Sequence, residues 1–194
     1  MSAQPLDELF AGHGGPWTEA EWLALPESMG RVELLDGALV VSPNAGLPHQ
    51  RMLGNLWQVL RQAAPSGFEV IAGANVRVRP GGILIPGIAV LSAPGLDGAI
   101  CDARHVVLAV ELTSPSNAWA DRLVKPEAYA RAGIPYYLRV DLDRGPEQLA
   151  AVLYTLAPGA QYAEIARSDI AGLLVLDRPF AVTLDLPALA RTTR

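Results

Sequence analysis

Residues 106–113 read Val-Val-Leu-Ala-Val-Glu-Leu-Thr, and no other stretch restricts the fold as much. Aliphatic side chains stand at both odd and even positions, so a strand built from this run has two apolar faces. Such a strand is stable only as a central one, with other layers packed on both sides. Alternation puts Val107, Ala109, Glu111 and Thr113 on one face and Val106, Leu108, Val110 and Leu112 on the other. Glu111 breaks the pattern. An ionised carboxylate in this setting is costly unless it is paired or binds a cation. A structural salt bridge and a functional cation site both meet that demand, and the run alone leaves the choice open.

The sequence that follows predicts a turn, a helix over residues 117–132 and a strand from Tyr136 to Asp141. Gly133 and Pro135 supply the stop signals for the helix. That helix carries Lys125, the only lysine of a chain that otherwise takes its positive charge from arginine. Asp121 lies four residues before it, so an ordinary surface ion pair of about 0.2–0.5 kcal/mol is one reading. Pro126 complicates that reading. It disfavours helical geometry at Lys125 and removes the hydrogen bond to the Arg122 carbonyl, so the helix is expected to kink there or restart with Pro126 at its first position. A carboxylate set by rigid sheet beside a reachable lysine is the minimal equipment of a metal-dependent phosphodiesterase. Glu111 and Lys125 are therefore the candidate catalytic pair.

The remaining pattern organises around this unit. Gly12, Gly14, Gly15 and Pro16 mark residues 1–16 as a poorly ordered lead-in, and residues 17–194 read as one domain. Thr18 and Glu21 have capping-box spacing at the start of a short helix. Asp36-Gly37 between the apolar runs 31–35 and 38–41 signals a hairpin. Met52, Leu53, Leu56, Leu60 and Ala63 recur at helical spacing over 48–64, with His49 opening that face as a partly buried structural residue or an auxiliary phosphate contact. Strands are expected at 68–72, 75–79 and 83–91, and further short ones at 149–156, 162–167, 173–176 and 181–184, before a small closing helix near 186–191. Arg77 and Arg79 share one strand face, placed either to solvate it or to touch phosphates. The class is α+β, with a mixed central sheet flanked by helices.

Composition narrows the function. At 194 residues and 51% hydrophobic, the chain is long enough for one well-buried core. Apolar runs are too short to span a bilayer, and the N-terminus lacks the pattern of a secretory signal. With a single cysteine, Cys101, the natural expectation is a soluble cytoplasmic protein. The formal net charge of −5 argues mildly against electrostatic binding of long nucleic acid, unless a local basic groove or a bound cation supplies the attraction. An exposed strand edge in so apolar a chain makes a homodimer an open possibility. Three histidines and one cysteine give little support to a zinc site.

Several motifs occur in a telling order: ELLDG (33–37), SPNAGLPHQR (42–51), IPGIAVL (85–91), VELTSPS (110–116), DRLVKPEAYARAGIP (121–135) and YYLRVD (136–141). Together they closely resemble the Uma-two family of restriction-endonuclease-like proteins, strongly over 17–141 and weakly beyond. The resemblance implies the fold of the PD-(D/E)XK nucleases, DNA as substrate and a site for magnesium or manganese. By position Glu33 looks like the acid of the early hairpin, Glu111 like the acid of the central strand and Lys125 like the catalytic lysine; Glu111, the backbone carbonyl of Leu112 and Glu33 could together hold one magnesium ion. The superfamily pattern places a lysine two residues after the strand acid, where this chain has Thr113. A second departure is Gly87, which stands where the family pattern has the aspartate of Pro-Asp. The expected function is a metal-dependent endonuclease hydrolysing DNA phosphodiester bonds, weakened at Gly87. The alternative is a non-catalytic nuclease-fold module for binding or oligomerisation. Asp97 and Asp102 are the nearest acidic substitutes downstream, both in turn-like sequence.

Overall fold

The structure, a computed structural model, describes residues 13–26, 29–42, 45–113, 123–142 and 149–191. Strands β1 (Arg31–Leu35), β2 (Ala38–Ser42), β4 (Val76–Arg79), β5 (Gly82–Leu84) and β7 (Cys101–Asp102) form a five-stranded sheet in the order β2-β1-β5-β4-β7. Strands β3 (Glu69–Ala72), β6 (Ile88–Leu91), β8 (Val106–Thr113), β9 (Tyr136–Asp141), β10 (Ala150–Ala157) and β11 (Gln161–Arg167) form a six-stranded sheet in the order β11-β10-β9-β8-β6-β3. A ribbon of β12 (Leu173–Leu176) and β13 (Val182–Asp185) completes the β structure. The helices are α1 (Glu19–Leu23), α2 (Leu47–Ala63), α3 (Lys125–Arg131) and α4 (Leu186–Ala190). This is a mixed α+β architecture, since β8–β9 and β4–β7 pair parallel and the other neighbours antiparallel.

Local chemistry accounts for the elements that frame the centre. Thr18 caps α1 reciprocally with Glu21, whose backbone N–H donates to the Thr18 hydroxyl at 3.2 Å. Asp36 and Gly37 adopt φ of 53° and 76°, the left-handed pair that turns β1 into β2 with the twist a hairpin needs. The backbone N–H of Trp17 donates to the Gly37 carbonyl at 2.7 Å, and His13 stacks on the Trp17 ring, so residues 13–17 lie against this turn. Residues 1–12 of the expected lead-in fall outside the described residues.

As its sequence requires, β8 is covered on both faces, with seven of its eight residues buried. Met52, Leu56 and Leu60 of α2 pack with Val110, Leu112 and Ile88 on one side. Tyr129 and Ile134 pack with Ala109 and Tyr137 on the other, beneath α3. One expectation is corrected: residues 83–91 do not make a continuous strand. They divide into β5 and β6, which belong to different sheets. Pro86 has no N–H to donate to a ladder, and Gly87 lets the chain turn, so the connection crosses from one sheet to the other. The helix expected over 117–132 is described from its later part only. A wide turn at residues 123–124 leads into α3, with Pro126 in its first turn, while 114–122, including Asp121, fall outside the described residues. No helix among the described residues is long and apolar enough to cross a membrane.

Candidate active site

The strand that turns at Asp36-Gly37 presents Arg31 and Glu33, two residues apart and therefore on one face. Glu33 is only 3% exposed, although it sits on a hairpin strand where an acid would ordinarily meet water. What draws it inward is the crossover between the sheets. The N–H of Ile85, just before Pro86, donates to Glu33 Oε1 at 2.6 Å, and the Arg31 guanidinium donates to the Ile85 carbonyl. Both backbone groups of Ile85, freed because β5 ends at Leu84, are satisfied by β1 side chains.

From the other sheet, β8 brings Glu111, also 3% exposed. From above, α3 brings Lys125, 5% exposed, whose Nζ lies 3.0 Å from Glu33 Oε1 and 3.2 Å from Glu111 Oε1. One turn along the helix, the fully buried Tyr129 donates its O–H to Glu111 Oε1 at 2.7 Å. Arg31 adds a second cation, 4.0 Å from Glu111 Oε2. Burial and the neighbouring carboxylates hold the Tyr129 phenol well above its ordinary pKa, so it stays a donor. Two carboxylates thus share two cations in a site almost closed to water, which is the condition for burying such charges at tolerable cost.

Glu33, Glu111 and Lys125 therefore converge, from a hairpin, a core strand and a helix. Leu112 lies next to them, and its carbonyl accepts a hydrogen bond from His49 Nε2 at 3.2 Å. A carbonyl can only accept, so Nε2 carries the proton. Burial lowers the His49 pKa and keeps the ring neutral. Its Nδ1 is then an acceptor, buried and without a hydrogen bond among the described residues. The sequence places His49 on the helix face correctly but gives no sign of this contact, which spans 63 positions.

None of the three atoms nearest a Cβ at Gly87 belongs to those charged side chains. A Cβ built there meets Leu53 Cδ1 and the Val110 carbonyl oxygen at 3.2 Å each, then Leu112 Cδ1 at 3.7 Å. Neither downstream acid takes up the role: Asp97 is exposed, and Asp102 caps the short 3-10 turn at Ala103–His105 by accepting from the Arg104 N–H. Arg77 and Arg79 are committed to ion pairs with Glu19 and Asp36. Two members of the cluster escaped the sequence reading. Arg31 and Tyr129 stand two and four residues from Glu33 and Lys125, the strand and helix spacings for a shared face, and that was the available signal.

The donor set suits a hard cation in type and is small in number. One oxygen of each carboxylate faces Lys125, while Glu33 Oε2 and Glu111 Oε2 accept no hydrogen bond from the described residues. Among the described residues no group of three or more His, Cys, Asp and Glu side chains could hold a metal ion. Magnesium commonly accepts one or two carboxylates and completes its shell with water and phosphate oxygens, so Glu33 Oε2 and Glu111 Oε2, the latter facing Arg31 at 4.0 Å, meet its minimum.

Comparison with known proteins bears on the fold and the family. A solved structure described as a "putative nuclease belonging to DUF820 from Anabaena variabilis ATCC 29413" superposes with a TM-score of 0.71 at 18% identity, covering 91% of this chain and all of that one. The shared fold is of the restriction-endonuclease-like type. No curated protein matches. The family model of Uma2, whose description reads "Putative restriction endonuclease", matches residues 19–188, and the chain belongs to that family.

Proposed function

We propose that the chain is a DNA endonuclease in which Glu33 and Glu111 hold a magnesium or manganese ion and Lys125 acts beside it on the scissile phosphate. The observation that carries this reading is the meeting of those three buried side chains from separate elements, within 3.0 and 3.2 Å. When bound, the ion supplies Lewis-acid polarisation of a phosphoryl oxygen and lowers the pKa of an attacking water. The chain's own groups supply the rest. Glu33 and Glu111 offer their Oε2 atoms, with the Leu112 carbonyl alongside. Lys125 stabilises negative charge developing on the phosphate, within a site whose exclusion of water strengthens that interaction. Tyr129 fixes the Glu111 carboxylate, and Ile85 N–H fixes that of Glu33.

The reading includes reduced activity, because Gly87 contributes no oxygen where the family pattern has aspartate. Calorimetric titration with manganese and cleavage of plasmid DNA test both parts. Glu111→Ala is expected to remove cation binding and lower cleavage by at least about 10–100-fold. Gly87→Asp is expected to tighten binding and raise cleavage, most clearly in combination with Leu53→Ala, which relieves the 3.2 Å contact. Cation titrations without heat in wild type and in the double variant would sink the proposal.

One observation favours a second reading, a non-catalytic module that keeps the fold. Among the described residues the cluster is balanced, two acids against Lys125 and Arg31. In that case Glu111→Ala and Lys125→Ala change stability alone, and wild type cuts no DNA. Either reading accommodates a homodimer, since β2 ends its sheet with Val40 and Val41 exposed, and light scattering of the purified chain decides it.

A further inference from the structure

On the α3 side of the six-stranded sheet, the row of side chains continues outward from the catalytic strand. Glu111 pairs in register with Arg139 on β9, and on the next strand Tyr154 pairs with Tyr137. In-register partners point to the same face. Beside this row lies a pocket of about 500 Å³, and its opposite wall is α3, beginning at Pro126, the residue after Lys125. Its size falls in the range of small-ligand sites.

The lining has a definite chemistry. Tyr137 stacks on both Tyr154 and Tyr162, with ring centroids 5.8 and 5.5 Å apart and planes inclined by 26°. Tyr137 is buried beneath them, and the other two are half-buried at the wall. The Tyr162 hydroxyl donates to the Ile134 carbonyl at 2.8 Å, which fixes its ring. Arg139 extends over the Tyr154 ring, 5.7 Å from its centroid. Both arginines of the pocket are already countered: Arg139 lies 3.1 Å from Asp141 and Arg131 2.6 Å from Glu127. Such a pocket has little surplus charge for a free anion. Its preorganised aromatic wall suits a flat, polarisable ring, and aromatic side chains of this kind stack successive bases in single-strand binding proteins.

Resting on the nuclease reading of the adjacent cluster, we propose that this pocket receives one unstacked nucleobase from a nucleotide flanking the bond to be cut. Adjacent strands lie about 4.8 Å apart, so β10 stands roughly 10 Å from β8, within reach of a neighbouring nucleotide on an opened strand. A base stacked within duplex DNA cannot enter. The substrate class is accordingly single-stranded or locally unpaired DNA.

The test uses the full chain with a fluorescently labelled single-stranded oligonucleotide, the same strand carrying abasic positions near its centre, and the corresponding duplex. The intact single strand is expected to bind wild type about tenfold more tightly than the abasic strand. Tyr154→Ala is expected to lose that difference and to raise KM more than it lowers kcat, while Tyr154→Phe keeps it. Equal binding of intact and abasic strands by wild type, or no measurable binding of the intact strand, overturns the pocket. The first comparison needs no variant to fold. If Glu111-dependent cleavage persists in that event, the nuclease reading stands without the pocket. Tyr154-dependent binding with no cleavage under any divalent cation keeps the pocket and removes the nuclease reading.

Discussion

Tyr129 shows how much a single side chain contributes to this centre. Among the described residues its hydroxyl and Lys125 are the two donors that hold Glu111 Oε1 in place. Tyr129→Phe removes a hydrogen bond to a charged acceptor and is expected to cost about 1.5–3 kcal/mol in urea unfolding, because the carboxylate stays buried. The same residue governs behaviour in alkali. Burial raises the phenol pKa of both Tyr129 and Tyr162 in the folded chain. The unfolded chain therefore releases those protons first, near pH 10, so stability is complete below about that pH and falls as pH rises above it. Absorbance titration should show Tyr129 and Tyr162 ionising only as the chain unfolds, and Tyr129→Phe should shallow the alkaline loss of stability.

At the scale of elements, the hairpin β1–β2 is the part whose local geometry the centre most depends on. Its turn fixes the register in which Val32 pairs with Val41 and Glu33 with Val40, and thereby the face on which Glu33 and Arg31 point inward. Gly37 has φ of 76°, and a Cβ there would stand 2.4 Å from the Cβ of Pro16. Gly37→Ala is therefore expected to destabilise by more than about 1 kcal/mol and to lower Tm by several degrees, with the larger part of any activity loss following from the shift of Glu33. Loss of activity with an unchanged Tm would show that the turn does not act through stability of the hairpin. On the opposite side, α3 begins at Lys125 itself, so the proline that limits the helix also fixes where the lysine enters the cluster.

For the molecule as a whole, net charge and site charge pull in different directions. A formal charge of −5 repels a polyanion, and the cations Arg31, Arg77, Arg79, Arg131 and Arg139 are matched by acids or backbone oxygens. Among the described residues that leaves Arg51, Arg61, Arg178 and Arg191 without an acid partner, so about four phosphates at most can be neutralised by side chains not already paired. Measured in manganese, the slope of log K against log salt for single-stranded DNA is expected to be shallow, of magnitude about 3 or less, where a protein with 6–10 phosphate contacts shows about 4–7. A steeper slope would show that more cations than these four meet the strand.

Periodicity and turn chemistry determined most of the elements, because they depend on neighbours within one or two helical or strand repeats. The all-aliphatic β8, the amphipathic α2, the Asp36-Gly37 turn and the stop at Gly133 are of that kind, and the ordered motifs point to the Uma2 family that the whole-chain match shows. Glu111 declared itself as a carboxylate that needed a cation. What the sequence could not settle was which cation. Only the tertiary structure brings Lys125, fourteen residues away, and Arg31, on the other sheet, to the same carboxylate, and only it divides residues 83–91 between two sheets so that Ile85 can anchor Glu33. The physical reason is that burial and long-range pairing are decided by how layers pack, whereas a side chain's face is decided by its own strand or helix.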